Sequence, residues 1–380
     1  MKKPMKKNIV FAVYDHLHTE YRGFKTATSF LKFGHKVKII GIKQKSGKVL
    51  SGWENIKVKR VVIYEGLPFS INMMIFWMKL FYKLLVTKAD ILYSHDIFPL
   101  LPVYLAAKLK RIPFVYDAHE YWHGNSHVAD RPFMKWFWIT YEKLFIKRAD
   151  KVITVSDPIA EKLKEIYDLK TVKVFSNLPM GKDLPDDKYY IHKKLNIDKD
   201  KKIILYQGHM LLNNGLDDVV KAFVKVDKKA VLILIGEGKE KESLKVLSEE
   251  LSLTDRIYFL DEVPHDQLIN YTVCASVGLC LIKNSGESFY YSTPNKMFEY
   301  LQAEVPQLAS DFPEISKVVK DNIVGKVIDP SDIELISETL NIMLNDQGLL
   351  SDMKENCKQA SLKYTWDGIE KELVRFVLND

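Results

Sequence analysis

Twice along this chain, short runs of β-branched and aromatic residues alternate with segments of helical length, and that rhythm limits the fold more than any other feature. The first series is NIVFAVY (8–14), KVKIIGI (36–42), VKRVVIY (58–64), DILYSHD (90–96), PFVYDAHE (113–120), KVITVS (151–156) and VKVFSN (172–177). Helix-length segments such as 98–110 and 157–167 separate them. Apolar runs of this kind, each followed by enough chain for a helix, make a parallel sheet covered on both faces. Around residues 180–201 the sequence turns charged and proline-interrupted, which reads as a domain linker. The alternation then restarts with IILYQG (203–208), AVLILIGEG (230–238), IYFLDEV (257–263), ASVGLCLI (275–282), QLAS (307–310) and GKVID (325–329). A chain of 380 residues also exceeds what a single core usually serves. The expected architecture is α/β, with two Rossmann-like doubly wound domains, residues 1–183 and 184–361, facing a central cleft. The closing LKYTWDGIEKELVRFVLND (about 362–380) is expected to form a helix that packs back on the first domain.

Neither unit has GxGxxG after its first strand: VYDHLHTEYRG follows one and YQGHMLLNNG the other. A nicotinamide-binding enzyme is therefore disfavoured, while ligands are still expected beyond the carboxyl ends of the strands. The net charge of +7 is uneven. Residues 1–180 hold 31 Lys+Arg against 15 Asp+Glu (+16), and the remaining 200 hold 25 against 34 (−9). A basic half fused to an acidic half points to an anionic partner: a phosphorylated substrate, a nucleic acid or a membrane surface. Nucleic acid is set aside for want of any helix-turn-helix, zinc or RNA-binding signature. Cys274, Cys280 and Cys357 are an odd count without metal-ligand spacing. No apolar run is read as reaching transmembrane length, and the start lacks a signal-peptide pattern, so a cytoplasmic protein is expected.

The stretch SGESFYYSTPNKMFEYLQAEVPQLASDFPEI (285–315) reads as loop, helix, strand and helix start. Thr293 is placed to cap the helix and Pro294 to occupy its first turn. Asn295 and Glu299 lie four apart on one face, beside Lys296, within an otherwise apolar helix. A surface ion pair would explain them. So would a ligand.

The same stretch, with ADKVITVSDPIAEKL, LYQGHMLLNNGLDDVVKAF, LILIGEG, FLDEVPHDQLINYTVCASVGLCLI and YTWDGIEKEL in that order, resembles retaining glycosyltransferase family 4, whose fold is called GT-B. The resemblance spans nearly the whole chain. It implies transfer of a sugar from a nucleotide-diphosphate donor on the second domain to an acceptor on the first. By matching positions, Glu299 would accept hydrogen bonds from the donor ribose, as an acceptor-only carboxylate can. Tyr291, Ser292, Thr293 and Asn295 would offer backbone N–H groups and the helix dipole to the diphosphate, with Lys296 as a point charge. The turn Glu262–Val263–Pro264 would receive the nucleobase. His119, after its strand, would bond the transferred sugar or the acceptor; a structural histidine satisfied by Asp117 or Glu120 is the alternative. Arg22 and Gly23, read as lying between the first strand and helix, would approach the phosphates, and Gly208 completes the implied donor set.

Two departures stand out. Relatives place glutamates eight apart, but the residue eight before Glu299 is Tyr291, and the nearest upstream carboxylate is Glu287. Relatives also carry an Arg and a Lys after the YQG-like strand, where this chain has Asn213 and Asn214. Leaving-group charge then falls to Lys296, Lys283, His209 or backbone dipoles, the largest electrostatic task in such a reaction. The mechanism implied is loss of the nucleotide diphosphate through an oxocarbenium-like transition state, with same-face attack and the leaving phosphate taking the acceptor proton. No cofactor and no metal are expected. The acceptor class implied is a glycan or lipid-linked acceptor, in cell-surface polysaccharide or glycoconjugate synthesis. Rival readings are a non-catalytic nucleotide-sugar-binding protein and a nucleotide-sugar epimerase of the same architecture. FSINMMIFWMKLFYKLLVTK (69–88) and RPFMKWFWITYEKLFIKR (131–148) combine aromatics with Lys and Arg, the composition of helices that lie in a bilayer interface. Peripheral attachment to the inner face of an anionic membrane is the corresponding expectation.

Overall fold

The computed structural model describes residues 6–16, 21–42, 56–64, 66–124, 128, 131–181 and 183–379. The chain divides into two compact units, residues 1–177 with 366–380, and residues 178–365.

In the first unit, seven described strands form one parallel sheet of order β3-β2-β1-β4-β5-β6-β7. They are β1 Asn8–His16, β2 Lys36–Ile42, β3 Lys57–Val61, β4 Ile91–His95, β5 Phe114–Ala118, β6 Lys151–Thr154 and β7 Lys173–Val174. Its helices are α1 Tyr21–Lys32, α2 Phe69–Val86, α3 Leu100–Lys110, α4 Pro132–Ile146 and α5 Asp157–Tyr167. Ile9, Val10, Phe11, Ala12 and Val13 are all buried, because a central parallel strand has helices on both faces and no solvent side for polar residues.

In the second unit the order is β10-β9-β8-β11-β12-β13. The strands are β8 Lys202–Gln207, β9 Ala230–Ile235, β10 Ile257–Leu260, β11 Val277–Cys280, β12 Gln307–Ser310 and β13 Gly325–Ile328. Helices α6 Tyr190–Leu195, α7 Leu216–Ala222, α8 Lys241–Glu250, α9 His265–Thr272, α10 Glu287–Tyr290, α11 Asn295–Gln302, α12 Pro313–Asp321, α13 Ile333–Asn345 and α14 Gln347–Lys363 surround it. Segment 180–201 is not a bare linker. It holds α6, whose Ile191 is fully buried in this unit. Helix α15 Trp366–Leu378 belongs to the first unit, where Trp366 Nε1 donates to Ser29 Oγ of α1 (2.8 Å) and Ser29 Oγ donates to Glu370 (2.9 Å).

Both sheets are therefore doubly wound, as the alternation predicts, and all thirteen expected strands are present. Several end earlier than expected because the chain leaves the sheet through left-handed backbone: Asp96 has φ 64°, Gly208 φ 129° and Gly236 φ 142°. Strand order reverses between β1 and β4 in one unit and between β8 and β11 in the other. Each reversal opens a crevice at the carboxyl edge, the standard ligand position in such sheets.

One expectation is corrected. Helix α2 is long and apolar enough to cross a membrane by length and composition, although Lys79 and Lys83 lie within it. It nevertheless packs as a layer helix: Asn72, Met73, Phe76, Leu80 and Leu84 are buried. Its other face exposes Met74, Met78, Tyr82 and Val86.

Candidate functional site

In the second unit the carboxyl edge is built by backbone packed on backbone. Beyond β8, Gly208 N–H donates to Ile235 O (3.0 Å) and Met210 N–H to Glu237 O (2.8 Å). A Cβ on Gly236 would stand 2.0 Å from Gly208 O, and one on Gly238 2.1 Å from Met210 O. That approach, with the positive φ of Gly236, is why LIGEG needs both glycines.

Glu299 projects from α11 and is 18% exposed. Gln207 Nε2 donates to its Oε2 (2.5 Å) and His265 Nε2 to its Oε1 (3.2 Å). Thr272 Oγ1 donates to Gln207 Oε1 (2.8 Å), which fixes the Gln207 amide with its nitrogen toward the carboxylate. Burial pushes the Glu299 carboxyl up. The His265 and Gln207 hydrogen bonds and the His265 and Lys296 charges outweigh it, so the pKa lies below the usual glutamate value. The carboxylate faces a pocket lined by Gln207, His265, Leu268, Thr272, Glu299 and Gln302, among others. It is held ionised at neutral pH with lone pairs left for further donors.

Lys296 extends over the Tyr206 ring, its Nζ 3.7 Å from the centroid, and reaches Gly208, where a Cβ would lie 3.5 Å from Nζ. Tyr206 is anchored by donating to His209 O (2.6 Å) and accepting from Asn214 Nδ2 (2.8 Å). A cation is thus set beside the glycine turn. Two hydroxyls nearby in sequence, Ser285 Oγ and Thr293 Oγ1, are buried without a hydrogen-bond partner. Buried hydroxyls in that state are free to bond a polar ligand.

Several expected positions are revised. Pro294, with φ −64° and ψ 136°, is the N-cap of α11, so the helix starts at Asn295 and Thr293 caps nothing. Tyr291 N–H donates to Glu287 O (3.0 Å) and Ser292 N–H to Phe289 O (3.2 Å), which removes both from the amides expected to meet phosphate. Lys283 is drawn to α7, with Asp218 Oδ2 at 2.6 Å and Asp217 Oδ1 at 3.0 Å. Its charge is therefore already matched. Val263 lies in the turn between β10 and α9, and the adjacent His265 reaches Glu299. The sequence reading missed Gln207, Thr272 and His265 as the shell around Glu299, although all three sit inside the quoted LYQGHMLLNNGLDDVVKAF and FLDEVPHDQLINYTVCASVGLCLI.

In the first unit the carboxyl edge carries a buried charge cluster. Arg22 and Gly23 are not in a loop but in the first turn of α1, and both are buried. Arg22 Nε and Nη2 donate to the two Asp117 oxygens (3.1 and 2.9 Å), while Nη1 donates to Phe175 O (2.8 Å). Tyr93 OH also donates to Asp117 Oδ2 (2.9 Å). Burial pushes the Asp117 carboxyl up, but Arg22 and the two neighbouring histidines pull it down to about 2. Arg22 thereby serves a buried carboxylate. His119, just past β5, lies 3.0 Å from His95 Nδ1 through its Nε2 and 3.9 Å from Asp117 Oδ2. Its hydrogen-bonded neighbour is therefore His95 rather than Asp117.

His95, Asp117 and His119 bring possible metal-ligand atoms within 4.8 Å of one another. The donor set does not fit a cation. Asp117 is saturated by the Arg22 guanidinium and Tyr93, and that guanidinium would repel a second positive charge.

Two doubly wound sheets, with a carboxylate and a lysine at the carboxyl edge of the second, fit the GT-B resemblance of the sequence, and comparison with known proteins agrees. Residues 187–360 match the model described as Glycosyl transferases group 1, and residues 24–177 match that of Glycosyltransferase Family 4. An uncharacterized glycosyltransferase of Methanocaldococcus jannaschii is 25% identical over 374 residues, 92% of this chain and 90% of that protein. Among solved structures, sucrose-phosphate synthase from Thermosynechococcus elongatus has TM-score 0.80 at 16% identity, covering 98% of this chain and 99% of the other. HepE of Anabaena in complex with UDP-glucose has TM-score 0.80 at 14% identity, covering 98% and 100%. The chain belongs to glycosyltransferase family 4. It is a retaining glycosyltransferase that uses a nucleotide sugar.

Proposed function

We propose that this enzyme moves a hexose from a UDP- or GDP-linked donor to a glycan or lipid-linked acceptor in cell-surface polysaccharide or glycoconjugate synthesis. The observation that carries the donor half is Glu299, ionised and oriented by Gln207 and His265 at the edge of a pocket. Such a carboxylate suits the ribose diol. Lys296 beside Gly208, with the unpartnered hydroxyls of Ser285 and Thr293, suits the diphosphate and supplies charge stabilisation as it leaves. The HepE complex contains UDP-glucose, which makes UDP-glucose the first donor to try. A thermal-shift screen of UDP- and GDP-sugars tests the reading, since a ligand that binds only the folded state raises the melting temperature. No shift with any of them at millimolar concentration would defeat it.

His119 is assigned to the transferred sugar or the acceptor. His119→Ala is expected to lower turnover about 100-fold or more, within the usual range for a hydrogen-bonding group that acts in the transition state, with nucleotide-diphosphate affinity nearly unchanged. Normal turnover in that variant would return His119 to a structural role.

One face of the first unit supports an acceptor held near a membrane. Trp77 of α2 stacks on Tyr141 of α4 at 5.6 Å, so the two helices lie side by side. Outward they expose Met74, Met78 and Tyr82, and Phe133, Trp136 and Leu144. Lys79, Lys83, Lys135 and Lys143 stand among them. Reversible binding to anionic vesicles, weakened by salt, is expected. Lys135→Glu with Lys143→Glu should lose at least about 1 kcal/mol per site. Failure to cosediment with anionic vesicles at low salt would make a soluble acceptor the better reading.

A further inference from the structure

His95 has no place in the donor scheme, yet it is buried, and it touches the one histidine assigned to the sugar or acceptor. It ends β4 and is registered directly beside Asp117 on β5. Its ring packs against both Phe11 and Tyr93, with stacked centroid separations of 5.2 and 4.8 Å, in a three-ring cluster. That packing holds the ring plane. His95 Nδ1 meets His119 Nε2 at 3.0 Å, and His95 Nε2 is buried with no hydrogen-bond partner.

These contacts decide which nitrogen carries the proton. If His119 Nε2–H donated to His95 Nδ1, the proton of neutral His95 would sit on Nε2, leaving a buried N–H unpaired. With the proton on His95 Nδ1, that atom donates to His119, and only a bare acceptor nitrogen faces the apolar interior. Orphaned buried N–H groups are the rarer and costlier state. Burial, then the charge of His119, holds the His95 pKa well below the ordinary histidine value, so the neutral form is the relevant one. The positive Arg22 guanidinium on Asp117 also opposes a second charge here.

We infer that His95 is a positioning residue: its Nδ1–H donates to His119 Nε2 and so confines the His119 proton to Nδ1. His119 then presents Nδ1–H as a fixed donor, instead of the Nε2–H form that free neutral histidine favours. The chemical class this suits is an oxygen acceptor, a sugar hydroxyl or the developing charge on a ring substituent. The catalytic consequence rests on the assignment of His119 to sugar or acceptor, but the tautomer does not.

The test is long-range ¹H–¹⁵N NMR of the whole protein labelled at histidine, which reports the tautomer of each ring at a pH where His119 is neutral. His119 is identified by the signal lost in His119→Gln. Wild type is expected to show His119 protonated on Nδ1. His95→Phe, which keeps an aromatic ring and removes the donor, should shift His119 toward the Nε2–H form. His95→Asn puts an amide nitrogen where Nδ1 stood and should restore the wild-type pattern. In parallel, release of UDP from UDP-glucose, or from whichever donor stabilises the protein, should fall about 10- to 100-fold in His95→Phe and recover in His95→Asn, the scale of one hydrogen bond lost from the transition state. A wild-type His119 protonated on Nε2 overturns the proposal. A tautomer shift in His95→Phe with unchanged turnover would retain the positioning and overturn the role assigned to His119.

Discussion

Arg22→Ala is expected to lower the stability of the protein by about 3–5 kcal/mol, the range for leaving one member of a buried ion pair alone. Asp117 is fully buried and Arg22 is 3% exposed, so solvent cannot replace the lost guanidinium. Of the four hydrogen bonds of the cluster, Arg22 donates three, two to Asp117 and one to Phe175 O, and without it Tyr93 OH would remain on the carboxylate. The carboxylate should respond by taking up a proton. Arg22→Met with Asp117→Leu should recover much of the loss, because it removes both charges together and keeps volume. The pair also fixes a pH dependence. The Asp117 carboxyl titrates at 3.8 in a free chain and at about 2 when folded. A depressed folded value means the stabilisation is fully present above about pH 4 and is lost as pH falls from there toward 2. The difference amounts to about 2 kcal/mol. Urea unfolding at pH 7 and pH 3 measures both effects, and the Arg22→Ala variant should be flatter across that window. A variant within about 1 kcal/mol of wild type would show that the pair contributes little.

The strand runs were legible because a parallel sheet buried on both faces writes itself as consecutive apolar residues. Glu299 was legible for a related reason: four residues after Asn295, it breaks the apolar face of a helix. The positions that escaped are set by contacts between distant segments. Arg22 and Asp117 are 95 residues apart, and nothing local says that the first turn of α1 must neutralise the end of β5. His95 and His119 meet because β4 and β5 are parallel neighbours, in a register that neither strand specifies alone. Lys283 read as an available cation because Asp217 and Asp218, about 65 residues earlier, are brought to it only by the fold. Pro294 illustrates a different limit. Its ring fixes φ near −65°, which suits a first helical residue and an N-cap equally, and the ψ of 136° that decides between them is set by the preceding turn. Lys79 and Lys83 interrupt the apolar run in the sequence, yet α2 meets the length and composition of a membrane-crossing helix and buries only a part of its surface.

Glu299→Ala is expected to weaken nucleotide-diphosphate binding by about 1.5–3 kcal/mol, the value of a hydrogen-bonded contact to a charged group. That corresponds to roughly a 10- to 150-fold rise in Kd. The carboxylate reaches the pocket edge already oriented, so little ordering remains to be done on binding, and its loss removes acceptors that neither Gln207 Nε2 nor a lysine can replace. Glu299→Gln keeps the volume but replaces one oxygen with a donor, and should lose nearly as much. His265 and Gln207 would each forfeit a partner, so the alanine variant also tests whether the shell exists to hold Glu299 or to hold the fold. Folding should survive, with a loss of no more than about 1–3 kcal/mol for the unsatisfied donors left behind. Calorimetry with UDP or GDP, whichever binds wild type, gives the affinity, and the matching 2′-deoxy nucleotide identifies the contact. Wild type should prefer the ribonucleotide, whereas Glu299→Ala should bind both about equally because the carboxylate that read the hydroxyl is gone. A variant that keeps the ribonucleotide preference would place the ribose elsewhere, and one whose affinity is unchanged would reduce Glu299 to a partner of His265.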